Sequence, residues 1–134
     1  MRKVALALAL ALIAVGCGQA TEKDINEGIT LWGEVSDGYL KVLEANQATP
    51  KKAIEEGQKF IDTDEKVEKL AKIGNKTGTQ AQQDRFTKAV EASLPAIQAR
   101  FEKIQEAMVA AGDEASANAI VDQWQSLLEK MGGE

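Results

Sequence analysis

Histidine is absent from this chain of 134 residues, and cysteine occurs once, at Cys17. Without histidine, no side chain has an ordinary pKa near neutrality, and nucleophile–histidine pairs are excluded. Structural zinc needs Cys or His ligands and covalent haem needs a C-x-x-C-H motif, so the sequence excludes both. A single cysteine forms no disulfide within the chain, so stability has to come from an apolar core.

Strand patterns and long apolar runs are also lacking. Period-2 alternation with β-branched residues does not occur, whereas helical spacing recurs along the chain. The apolar run at residues 4–16 is shorter than the roughly 20 residues that a membrane-spanning helix needs. Arg2 and Lys3 precede this run. A charged start followed by a short apolar stretch is typical of a signal peptide. We therefore expect residues 1–16 not to belong to the folded domain.

The run Ala14-Val15-Gly16-Cys17 ends the apolar stretch with small residues and a cysteine. It resembles the lipobox of bacterial lipoprotein signal peptides. The resemblance implies cleavage before Cys17 and acylation of Cys17, with palmitate-type chains. Each buried CH2 of such chains contributes about 0.8 kcal/mol, and more than one chain gives stable anchoring.

Two alternatives to the lipoprotein signal stay open. One is an ordinary secretory signal cut after Gly18-Gln19-Ala20, a weak A-x-A-like site, and the other is an uncleaved anchor. Within the lipoprotein resemblance, Gly18 stands where an aspartate often retains the protein in the inner membrane. We therefore expect a bacterial membrane location, lipid-anchored and facing the periplasm or cell exterior, with the outer membrane favoured if the source is Gram-negative.

The composition of the remaining chain indicates one acidic domain. Removing 16 of 134 residues leaves 118, with 14 basic and 21 acidic residues and a net charge of -7. This length fits one compact domain. The acidic balance argues against nucleic acid and against electrostatic binding to anionic lipid, so Cys17 is the expected membrane contact. Residues 17–23 are small and polar and predict a short tether, which leaves residues 24–134 for the domain.

Four amphipathic helices are predicted after the tether. They cover residues 24–46, 50–73, 80–111 and 114–131, with Thr49, Thr79 and Asp113 as N-caps of the last three. The predicted apolar stripes, in chain order, consist of Ile25, Ile29, Trp32, Val35, Tyr39 and Val42; Ala53, Ile54, Gly57, Phe60, Ile61, Val67, Leu70, Ala71 and Ile73; Phe86, Val90, Leu94, Ile97, Phe101, Ile104, Met108 and Ala111; and Ala117, Ile120, Val121, Trp124, Leu127, Leu128 and Met131.

Two features leave the helix boundaries open. The run at residues 62–65 is rich in side chains that prefer caps to helix interiors, so it can interrupt the second helix. Pro95 lies inside the third helix and predicts a kink, or else a break near Ser93. Short connections favour an all-α, antiparallel up-down four-helix bundle. A three-helix or irregular arrangement and a dimer that exchanges helices are the alternatives.

The sequence predicts no catalytic, cofactor-binding or metal-ligating residue, and Cys17 is the one functional residue it assigns. Asp62, Asp64 and Glu65 form the densest carboxylate cluster, but they lack the glycine and the later glutamate of an EF-hand loop. They are expected to cap a helix. Trp32 and Trp124, like the methionines of the stripes, are expected to pack in the core.

The leading functional hypothesis is a non-enzymatic, membrane-anchored helical interaction module that binds another envelope protein. The alternative is a periplasmic binder of a small apolar ligand or lipid, held where Gly28, Gly33 and Gly38 or the Pro95 kink open a cavity. An enzyme would need carboxylate-only chemistry. An interaction module predicts an exposed apolar patch, and a ligand binder predicts an internal cavity.

Overall fold

Five helices make up most of the chain in a computed structural model that describes residues 18–132. They are α1 (Glu22–Asn46), α2 (Pro50–Thr63), α3 (Glu65–Gly74), α4 (Gln80–Ala110) and α5 (Glu114–Met131). Over residues 18–132 the prediction of an all-helical fold is confirmed, although this part of the chain forms five helices where four were expected. The signal segment and Cys17 lie outside the described residues.

Side-chain caps fix the starts of four of these helices. Thr21 and Thr79 each form a capping box, in which the hydroxyl accepts from the N–H three residues on and that residue's side chain accepts from the cap N–H. Asp113 Oδ1 accepts from the Ser116 N–H at 2.9 Å. The predicted starts of α4 and α5 are therefore confirmed, whereas α1 begins at Glu22, two residues before the predicted start.

The predicted second helix is divided at Asp64. The backbone there is extended, with ψ 123°, and the N–H of Asp64 still donates to the Phe60 carbonyl of α2. The Asp64 carboxylate accepts from the Lys66 N–H at 2.8 Å, so the same residue ends α2 and caps α3. The interruption allowed for at residues 62–65 is thus a full break between two helices.

The helices pack in a fixed order around one core. α1 packs against α2, α3 and α4, and α5 packs against the same three helices. α1 and α4 run parallel, because Glu22 pairs with Arg85 at one end and Asp37 with Arg100 further along both helices. The pairing of α1 with α2 and α3 is antiparallel, since Gly38 faces Phe60 and Gly28 faces Ile73.

Pro95 does not break α4, which continues through it. The expected alternative of a break near Ser93 is therefore wrong. Pro95 is exposed, so its ring lies on the outer side of the helix. Ser93 instead joins α4 to α1 by a hydrogen bond. Its hydroxyl accepts from Trp32 Nε1 of α1 at 2.8 Å and donates to the Val90 carbonyl of α4 at 2.6 Å.

Apart from the break at Asp64, the connections between the helices lie at two opposite ends of the fold. The end with residues 18–24, 74–82 and 130–132 is called the proximal end. The end with residues 46–50 and 110–114 is called the distal end. Between them, the rings of Trp32 and Trp124 meet edge-to-face with centroids 6.0 Å apart.

Candidate functional site

The residues next to Cys17 form a structured segment at the proximal end. Gly18 accepts a hydrogen bond from the Thr77 N–H at 2.9 Å, and the Ala20 N–H donates to the Thr77 carbonyl at 2.8 Å. Gln19 and Thr77 thus form an isolated parallel bridge. This segment, residues 18–21, is called the docked segment.

Side chains hold the docked segment from a second direction. Ala20 is buried, and its carbonyl accepts from Gln82 Nε2 at 3.2 Å. Gln82 is itself buried, and its Oε1 accepts from the Thr79 N–H at 2.9 Å in the capping box of α4. One carboxamide therefore ties the start of the described chain to the start of α4.

Gly18 has a conformational role in this segment. Its φ is +99°, in the region that residues with a side chain rarely adopt. The sequence suggested Gly18 only as a sorting position. The structure adds a second reason for glycine here, because the turn into the bridge with Thr77 uses a positive φ.

From residue 18 onward, the docked segment differs from the short tether expected at residues 17–23. Residues 18–21 are bonded to the loop between α3 and α4, and residues 22 and 23 already belong to α1. Backbone hydrogen bonds to Thr77 carry no side-chain signature, so composition alone indicated a tether. The Thr21–Asp24 and Thr79–Gln82 capping boxes were the detectable signals nearby.

Two ion pairs flank the docked segment. Glu22 Oε2 lies 2.8 Å from Arg85 Nη1, and Asp24 Oδ2 lies 3.1 Å from Lys76 Nζ. The hydrogen bond from the Thr21 N–H, helped by Lys76, lowers the pKa of Asp24 below its ordinary value. The carboxylates at this end are therefore matched by cations from the α3–α4 loop and from α4.

Five aromatic rings fill the middle of the core. The Tyr39 ring stacks on Trp124 with centroids 5.8 Å apart and lies 6.4 Å from both Phe60 and Phe101. Trp32 meets the same Trp124 ring edge-to-face. The Tyr39 hydroxyl donates to Gln123 Oε1 at 2.8 Å. Burial raises the pKa of Tyr39 well above its ordinary value. The expected core positions of both tryptophans, and of Met108 and Met131, are confirmed.

Two of the three glycines thought to open a cavity, Gly28 and Gly38, are packing contacts instead. A Cβ at Gly28 would lie 3.3 Å from the Phe86 ring, and one at Gly38 would lie 3.0 Å from the Phe60 ring. Gly33 is exposed, with nothing within 4 Å of a built Cβ. The α1 glycines therefore let phenyl rings approach or face solvent, and they give no reason to expect a ligand pocket.

Several hydroxyl and carboxylate groups that could take part in chemistry are bonded to structural partners instead. The Ser116 hydroxyl donates to the Asp113 carboxylate at 2.6 Å, and Asp62 accepts from Gln58 at 3.1 Å. Asp64 caps α3, as the sequence predicted for this carboxylate cluster. Within residues 18–132, no group of His, Cys, Asp and Glu side chains is placed to hold a metal ion.

The outer surface is polar. Among residues 18–132, Val109 is the one large apolar side chain that is exposed, with 40% of its surface accessible. The apolar patch that would mark an interaction module is therefore not found on this part of the chain.

None of the five described helices is both long enough and apolar enough to cross a membrane. No family model, curated protein or solved structure matches this chain.

Proposed function

We propose that this chain is a lipid-anchored protein of the bacterial envelope whose helical body is a non-enzymatic interaction module for another envelope protein. The observation that carries the proposal is the run Ala14-Val15-Gly16-Cys17 behind a short apolar stretch with two leading cations. The acidic composition supports attachment through acyl chains rather than through charge. In this proposal α2 and α3 together take the place of one helix in an antiparallel four-helix bundle.

The docked segment supports cleavage before Cys17 over cleavage after Ala20. A cut after Ala20 would remove Gly18 and Ala20, and with them both hydrogen bonds to Thr77. It would also remove the buried Ala20 side chain and the carbonyl that Gln82 binds. Keeping residues 18–20 leaves these contacts intact, as lipobox processing would.

The test of the anchor is intact mass and membrane fractionation of the native protein beside a Cys17→Ser variant. We expect the native protein to gain a diacylglyceryl-sized mass and to sediment with membranes, and the variant to do neither. A soluble, unmodified protein cut after Ala20 would overturn the anchor.

Crosslinking in intact cells then tests the partner, and the proposal fails if no envelope protein is enriched over the Cys17→Ser variant.

The second candidate function is a binder of a small apolar ligand, and the contacts of two α1 glycines count against it. Phe60 and Phe86 occupy the space beside Gly38 and Gly28, and Pro95 lies on the exposed side of α4. Native mass spectrometry of the purified protein tests it directly. A copurifying lipid-sized mass would restore this candidate over the interaction module.

A further inference from the structure

The distance between Cys17 and the helical body follows from the docked segment. Cys17 is joined by one peptide bond to Gly18, so their Cα atoms lie about 3.8 Å apart. A free tether over residues 17–23 would reach about 24 Å when extended. Because Gly18 is already bonded to Thr77, most of that reach is lost.

The docked segment is held at several points. Its backbone exchanges two hydrogen bonds with Thr77, and its buried end at Ala20 is bonded to Gln82. Thr21 then caps α1 without an intervening loop. Movement of Gly18 away from the body would break these contacts together, so the attachment is stiff as well as short.

The charges of the body are divided unevenly along its length. The contact of Trp32 with Trp124 and the pair of Glu34 with Lys66 mark the middle. The proximal half, residues 18–35, 65–94 and 124–132, has 8 basic and 9 acidic side chains. The distal half, residues 36–64 and 95–123, has 6 basic and 11 acidic side chains. An anionic bilayer therefore repels the distal half more strongly than the proximal half.

From these observations we infer that the proximal end rests against the bilayer that holds the acyl chains of Cys17, with the distal end directed away from it. This inference rests on the proposed lipidation. The 25 residues of α1 place the distal end about 37 Å from the proximal end. The loops at residues 47–49 and 111–113 are then the part of the protein presented to partners.

The experiment uses the full lipidated protein in vesicles of phosphatidylethanolamine and phosphatidylglycerol. Acylated Cys17 leaves no other thiol in the chain, so a single introduced cysteine takes a fluorescent label. Gln80→Cys labels the proximal end and Ala48→Cys labels the distal end, and both positions are exposed. Energy transfer to an acceptor on the lipid headgroups reports the height of each label.

We expect several-fold more efficient transfer from position 80 than from position 48. Inserting about ten Gly and Ser residues between Cys17 and Gly18 adds an r.m.s. span of about 16–19 Å, and most of the difference is then lost. The same insertion between Ala48 and Thr49 is the matched control and leaves transfer from position 80 unchanged. Equal transfer from the two labels without insertion, or a difference that survives the insertion at Cys17, would overturn the inference.

Intact mass separates this failure from failure of the proposed function. A chain that lacks the acyl mass overturns the lipid anchor and this inference with it. A chain that carries the acyl mass but shows equal transfer overturns only the orientation.

Discussion

Gln123 joins three helices through one carboxamide. Its Oε1 accepts from the Tyr39 hydroxyl of α1 at 2.8 Å, and its Nε2 donates to the Ile54 carbonyl of α2 at 2.9 Å. Gly57 lies directly beneath this carboxamide, where a built Cβ would overlap Oε1. Glycine at position 57 is therefore what allows the carboxamide to reach both partners.

Replacing Gly57 with alanine tests this contact. Gly57→Ala pushes the carboxamide off its partners and leaves buried polar atoms unpaired, so we expect a loss of about 1–3 kcal/mol in the free energy of unfolding. Gly33→Ala is the matched control: position 33 is exposed and open, so alanine there stabilises α1 by up to about 1 kcal/mol. Urea denaturation followed by circular dichroism measures both. A stabilising Gly57→Ala would show that Gln123 finds another arrangement.

At the scale of the helix, the boundary between α2 and α3 depends on Asp64. Asp64→Ala removes the cap of α3 and is expected to cost about 0.5–2 kcal/mol. Asp62→Ala, two residues earlier, removes only an exposed contact with Gln58 and should change stability by less than about 0.5 kcal/mol. The same denaturation measurement compares them, and equal losses would contradict the capping role.

The uninterrupted path of α4 through Pro95 gives an element-scale prediction. Proline costs about 3 kcal/mol relative to alanine in a helix interior, and it gives back up to about 1 kcal/mol by restricting the unfolded chain. Pro95→Ala also restores an N–H that can donate to the Glu91 carbonyl, so we expect a gain of about 1–2 kcal/mol. The midpoint of thermal unfolding measures it. A loss of stability would mean that the packing of α4 depends on the proline geometry.

Local signals in the sequence predicted the helices better than their arrangement. Thr79 and Asp113 marked the starts of α4 and α5, and the periodic apolar residues marked the buried faces. The parallel pairing of α1 with α4 depends on contacts between residues about 60 positions apart, such as Trp32 with Ser93, and no local pattern encodes it. The docked segment escaped prediction for the same reason, since it is held largely by backbone groups.

For the whole molecule, the absence of histidine predicts stability that is flat around neutral pH. On the acid side, hydrogen bonds lower the pKa values of Asp24, Asp37 and Asp113 in the folded state. The largest contributions come from Thr21, Lys41 and Ser116, respectively. The contribution of these three carboxylates to the free energy of unfolding is complete above the ordinary carboxyl pKa of about 4. It is lost as pH falls through the lowered pKa values. Asp24→Asn should therefore flatten the acid limb, which urea denaturation at stepped pH measures. An unchanged acid limb would contradict the role of Asp24.

On the alkaline side, burial raises the pKa of Tyr39, the single tyrosine of the chain. Its contribution is complete below the ordinary tyrosine pKa of about 10 and falls as pH rises towards the raised folded value. We expect the ultraviolet absorbance of tyrosinate to appear together with the loss of helical circular dichroism. A tyrosinate signal that rises near pH 10 while the helices persist would mean that Tyr39 is accessible in the folded protein.

The docked segment also sets an order of events for a chain that emerges from its amino end. Gly18 and Ala20 cannot form their hydrogen bonds until Thr77 and Gln82 are synthesised, some 60 residues later. Until then Gly18 and Ala20 lack these partners, and an enzyme that acts near Cys17 would meet an undocked peptide. Once α4 has begun to form, Gly18 is bonded to Thr77 and Ala20 is buried. Late docking thus follows from chain order alone, and a stalled chain that ends before Thr77 would keep residues 18–20 undocked.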